Sequence, residues 1–144
     1  MYNPEYSSKN TLTTIYRAAK VLEGRNMYLL ASDNWLRENM YHAYECGAWY
    51  SSELQKGETK EWCLSFNKRG RITDVKIGGR DQWVMYGPAY FSREFSARFL
   101  PVLEAYYKSP GTEQFYWEQV YVDMLSGEAR RRLEQEGGAL LDEA

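Results

Sequence analysis

Cysteine and histidine are scarce: 144 residues contain two cysteines and a single histidine. Cys46 and Cys63 have no motif spacing, so neither a disulfide framework nor a zinc site can be read from them, and a reduced, cytoplasmic chain is expected. His42 alone supports no Ser/His/Asp or Cys/His arrangement and is expected to be structural. An excess charge of one sign is absent too. Eighteen Lys and Arg face 20 Asp and Glu, for a net charge of −2, so no basic field points to nucleic acid as a partner. No apolar run approaches the roughly 18 residues of a membrane span. Met1–Tyr6 has neither a basic start nor an apolar stretch, so no secretory leader is expected. The glycines form no phosphate cradle. Gly78-Gly79-Arg80 is too short and lies between no strand and helix, which excludes the dinucleotide fingerprint and the P-loop.

What the chain has in excess is aromatic surface. Aromatic residues make up 16% of it, with 13 Tyr and five Trp. These side chains join an apolar body to a polar tip, which suits binding sites and interfaces as well as small cores. At 44% hydrophobic and 26% charged, the composition is that of one globular domain.

The organising stretch is Met27–Trp35. Its unbroken apolar run at 27–32 predicts a strand covered on both faces, ending in the acidic turn Ser32-Asp33-Asn34. Ligands of open α/β sheets bind beyond the carboxyl ends of such strands, which makes Asp33 a candidate site residue. The same three residues also read as the N-cap of a helix over 35–45. A helix over 11–22 precedes the strand, with Asn10 as its cap and Gly24 as its terminator. The strand that such a helix would follow in a βαβ unit is not found before it, so an exposed strand edge is expected, covered by a second copy or a complementing chain.

Further on, 48–52 predicts a strand, 53–60 a polar loop, and 61–77 a hairpin around Asn67–Gly70. Residues 83–91 predict an apolar strand kinked at Gly87-Pro88. Ser92 should cap a helix over 93–107 with Phe95, Phe99, Val102, Leu103 and Tyr106 buried, and Thr112 a helix to Leu125. Residues 126–144 predict a weak helix and a frayed tail, with Arg130–Arg132 as a solvated face.

The chemistry that remains is carboxylates beside aromatics: Asp33, Glu61-Trp62 and Tyr116-Trp117-Glu118. Carboxylate oxygens suit Mg²⁺, and aromatic faces suit a quaternary ammonium group. Taken in order, Tyr2-Asn3-Pro4-Glu5-Tyr6, Asn10, Ala31–Trp35, Glu61-Trp62, Gly87 and Tyr116-Trp117-Glu118 resemble the bacterial choline-phosphate cytidylyltransferases, of the sugar-nucleotidyltransferase-like group. The resemblance covers about residues 1–125. It implies an α/β, Rossmann-like nucleotidyltransferase fold with a mixed sheet and flanking helices, followed by a weakly structured tail at 126–144. It also implies transfer of CMP from CTP to phosphocholine with Mg²⁺. By this resemblance Asp33 is the catalytic and metal-binding aspartate, and Asn10 faces the nucleotide or product. Trp62 and Tyr116 would stack on the trimethylammonium group beside Trp117, with Glu118 supplying charge.

The glycine-rich loop and first strands with which that family opens have no counterpart here, nor can its second acidic metal motif be placed; Asp142 and Glu143 are poor candidates. A phosphocholine-binding module without catalysis, or a nucleotidyltransferase for another phosphate ester or sugar phosphate, are the alternatives. The chain by itself is expected to show little or no turnover with CTP, phosphocholine and Mg²⁺. A coupled pyrophosphate assay checks this, and robust release would refute it.

Overall fold

The first helix starts where its residue types put it. The Asn10 carboxamide oxygen accepts the Thr11 N–H at 2.8 Å, satisfying one of the donors that a helix start leaves open, and α1 spans Thr11–Leu22. In this computed structural model, which describes residues 2–136, the chain divides into two compact units. One is Gly24–Ser96; the other joins the residues up to Glu23 to those from Ala97 onward.

The discontinuous unit is helical. α2 (Arg93–Lys108) begins with Ser92 as its cap, whose hydroxyl accepts the Phe95 N–H at 3.2 Å. Within this unit Phe99, Leu100, Val102, Leu103 and Tyr106 of α2 are buried, close to the expected stripe. Each such side chain contributes about 1.5–3 kcal/mol on leaving water. α3 (Trp117–Ser126) is capped at Tyr116 and so begins four residues later than a cap at Thr112 suggested. Thr112 is buried, and its hydroxyl turns back to the carbonyls of Tyr106 and Ser109, so it ties down the turn after α2. Val120 and Trp117 of α3 are buried, and Asp123 joins them because the Tyr106 hydroxyl donates to it at 2.8 Å. Gly127, at φ 78°, separates α3 from α4 (Glu128–Gln135). α4 gives the weak helix expected after 126, and residues 137–144 lie outside those described. Arg130 and Arg131 pair with Glu134 and Glu128, as a solvated face would.

The other unit is a three-stranded sheet in the order β1-β3-β2, with β1 at Met27–Leu29, β2 at Trp49–Phe66 and β3 at Ile72–Phe91. Both pairings are antiparallel. The stretch expected to be buried on both faces is instead a half-buried strand of three residues, bonded on one side to β3. Its apolar run reflects a loop that crosses it, described below. The expected hairpin at 61–77 is the far end of a much longer one. Residues 53–60 continue β2, with Gln55, Gly57 and Thr59 on its more buried side and Lys56, Glu58 and Lys60 exposed; the inward residues are polar or glycine, so burial alternates without an apolar alternation in the sequence. Asn67 closes the turn by accepting the N–H groups of Arg69 and Arg71.

One tie in the helical unit is charged. The Glu5 carboxylate receives Lys9 at 2.7 Å, Arg17 at 2.6 Å and the Tyr107 hydroxyl at 3.0 Å, fastening the N-terminal segment to α1 and α2. Lys9 first, then Arg17, hold its carboxyl down from 4.5 to about 2. A depressed folded-state value gives stability that is present above the unfolded value and fades as pH falls toward the folded one. Thermal melts between pH 5 and pH 2 should therefore show a steeper fall for the unaltered chain than for Glu5→Gln, which has no proton to take up there.

Candidate functional site

Asp33 lies just past β1 in a turn closed by the Asn34 N–H to the Ala31 carbonyl at 3.2 Å, and its side chain is exposed. The expected helix over 35–45 does not form; residues 34–48 run in irregular conformation. The capping role therefore has no helix to serve, and Asp33 is left as an exposed carboxylate at a strand end.

The turn rests against a deformed stretch of β3. Tyr50 is opposite Ala89 while Ser52 is opposite Met85, so Tyr86, Gly87 and Pro88 face the single residue Ser51. This is the kink that Gly87-Pro88 suggested, and its type is a bulge. The Ser51 hydroxyl secures it from within, reaching the carbonyls of Tyr86 and Pro88. Gly87 adopts φ 85°, and the Asn34 carboxamide lies against its bare Cα. Two motifs far apart in the chain, Ala31–Trp35 and Gly87, thus meet at one place.

The loop after Asp33 is fixed by Tyr28 of β1. The Tyr28 hydroxyl donates to Glu45 at 2.6 Å and accepts the His42 N–H at 2.9 Å. That hydrogen bond holds the Glu45 carboxyl below its ordinary range, while burial first, then Glu45, push the Tyr28 phenol up. Tyr41 packs on Tyr28 at 4.6 Å, Tyr90 at 5.0 Å and Trp49 at 5.8 Å, and Trp49 also meets Tyr90 at 6.3 Å. This is where much of the aromatic excess of this unit has gone. It was not locatable from the sequence because its members are 62 positions apart, from Tyr28 to Tyr90. His42 serves through its main chain, a structural role. At the other end of β1 a polar cleft of about 460 Å³ is lined by Asn26, Glu45, Cys46, Tyr90 and Arg93, among others.

The remaining candidates divide between the units. Trp62 is half-buried on β2, opposite Ile77. In the helical unit, Asn10 is brought together with the start of α3. Its N–H donates to the Glu113 carbonyl at 2.9 Å, its carboxamide NH₂ to the Gln114 carbonyl at 3.3 Å, and the Trp117 N–H reaches the Thr11 hydroxyl at 3.1 Å. Both ends of the Asn10 carboxamide are therefore occupied within the chain. Tyr116 is 53% exposed at the head of α3 and Glu118 is half-buried in its first turn. Trp117 is buried edge-on to Phe99 at 5.9 Å, a core position.

No protein-family model matches the chain. It is 29% identical over 119 residues to a 2-aminoethylphosphonate cytidylyltransferase of Lancefieldella rimae, covering 82% of this chain and 48% of that one. It is 21% identical over 125 residues to a choline-phosphate cytidylyltransferase of Streptococcus pneumoniae, covering 87% and 54%. A solved structure of the CTP:phosphocholine cytidylyltransferase of Streptococcus pneumoniae superposes with a TM-score of 0.80 at 18% identity, over 94% of this chain and 67% of that one.

The chain is similar in sequence to two curated cytidylyltransferases and in fold to a solved one. It spans about half the length of these two curated relatives. Its α/β fold is the cytidylyltransferase fold over that span, and the sheet built by the described residues is the antiparallel β1-β3-β2 part.

The bulge sets a testable constraint. A Cβ at position 87 would lie 3.4 Å from the Ser51 hydroxyl on a backbone that L side chains avoid. Gly87→Ala should cost about 1–2 kcal/mol, measured by urea unfolding, through the positive φ alone.

Proposed function

We propose that this chain serves cytidylyl transfer from CTP to a small phosphate or phosphonate ester with a cationic head group, with Mg²⁺ as cofactor. The observation that carries it is the similarity to two cytidylyltransferases, together with an exposed aspartate at the end of β1. The acceptor oxygen would attack the α-phosphorus of CTP in line, and pyrophosphate would leave. The chain contributes mainly positioning and a place for charge.

Phosphocholine is the acceptor implied by the sequence motifs, with Trp62 offered to its ammonium group. A second acceptor, 2-aminoethylphosphonate, is favoured by the 29% relative. Calorimetry with each compound decides between them. Tighter binding of phosphocholine that is lost in Trp62→Ala supports the first, and tighter binding of the primary amine the second.

Mg²⁺ would neutralise the phosphate charge. Among the described residues no group of three His, Cys, Asp or Glu side chains is placed to hold a metal. A lone Asp33 carboxylate fits an ion held chiefly by phosphate oxygens and water, the usual manner for Mg²⁺, and does not fit a metal bound in advance of the nucleotide. Calorimetry should therefore detect no Mg²⁺ binding without CTP. With CTP present, Asp33→Asn should weaken the metal-dependent part of binding by about tenfold or more. Tight Mg²⁺ binding to the free chain would contradict this.

A further inference from the structure

We propose that Asn34 is a ligand-contacting residue, whose carboxamide oxygen accepts a hydrogen bond from the substrate bound beside Asp33. This rests on the cytidylyltransferase function proposed above and adds to it a residue and a substrate chemistry.

Asn34 directly follows Asp33 in the turn, and its main-chain N–H closes that turn on Ala31. Its carboxamide oxygen is buried and has no hydrogen-bond partner within the protein. A buried acceptor left unpaired is destabilising, and an apolar side chain of similar shape would avoid the penalty. A polar group close by is the Ser51 hydroxyl, which shares the surroundings of Gly87 with Asn34. Its one hydrogen is committed to the carbonyls of Tyr86 and Pro88 that hold the bulge. The bulge therefore withholds that hydroxyl as a donor to Asn34.

Gly87, lacking a side chain, leaves the carboxamide free to turn about its soft final bond. Asn34 as a whole is only half-buried, and it adjoins the exposed Asp33 turn. The donor that completes it must then come from outside the fold. It is an O–H or N–H: a ribose hydroxyl or the cytosine amino group of the nucleotide, or the primary ammonium of an aminoalkyl phosphonate. A trimethylammonium group has no such hydrogen.

The test uses the full chain, with Asn34→Leu as the isosteric apolar variant and Asn34→Ala as a smaller one should Leu not be accommodated. CTP, 2-aminoethylphosphonate and phosphocholine are titrated by calorimetry, and thermal melts are recorded without ligand. Asn34→Leu should melt about 3 °C higher, since it removes the unpaired acceptor. It should also bind a donor-bearing ligand about tenfold more weakly, while phosphocholine affinity is unchanged. A purely structural asparagine would not move stability and affinity in opposite directions. A loss confined to CTP assigns the donor to the nucleotide; a loss confined to 2-aminoethylphosphonate assigns it to the acceptor. Equal affinities in the unaltered chain and both variants overturn the role of Asn34 and leave the function standing. Absence of CTP binding in the unaltered chain overturns the function itself.

Discussion

The Gly24–Ser96 unit depends on the C-terminal end of β3. Ala89–Phe91 bond β1 on one side, and Ala89 and Tyr90 bond β2 on the other, the one stretch of β3 paired with both neighbours. Three features follow from that double pairing. Tyr28, Tyr90 and Trp49 come into mutual ring contact as one cluster. The surplus residues of β3 are forced into a bulge just before the doubly paired stretch. Because β1 is in register with Ala89–Phe91, its exit, and with it the Asp33 turn, is delivered to that bulge.

The electrostatics of this unit are local. Glu45 carries its charge next to a phenol that is held protonated by its own burial, so the pair acts as a hydrogen-bonded pin and not as a source of protons near neutral pH. The pin keeps an irregular segment of some fifteen residues in place without secondary structure of its own. The helical unit is tied in a similar manner. Glu5 gathers Lys9, Arg17 and Tyr107, and Tyr106 shelters the carboxylate of Asp123. In each case a tyrosine hydroxyl donates to a carboxylate, which is one use of so many tyrosines besides stacking.

Helices were largely legible. Asn10 and Ser92 are caps by residue type, and the buried stripe of α2 follows helical spacing, because both signals lie within a few consecutive residues. The start of α3 was misplaced since Thr112 has the right side chain for a cap but is drawn to the carbonyls at the end of α2. The sheet was less legible. Residues 53–60 look like a loop because the residues on the more buried side of the ribbon, Gln55, Gly57 and Thr59, are polar or glycine, and 27–32 looks like a central strand because a loop, not a second sheet neighbour, covers Tyr28.

By itself the sequence determined the class of the fold, its kinship through a short ordered set of motifs, and Asp33 as the residue to examine. These rest on local residue types and their order along the chain. The tertiary structure decided what Asp33 is: no helix follows it, so it caps nothing, and a bulge 54 positions away supports its turn through Asn34 and Gly87. Pairing register and the direction of a loop across a sheet arise from contacts between distant residues, and no local pattern encodes them.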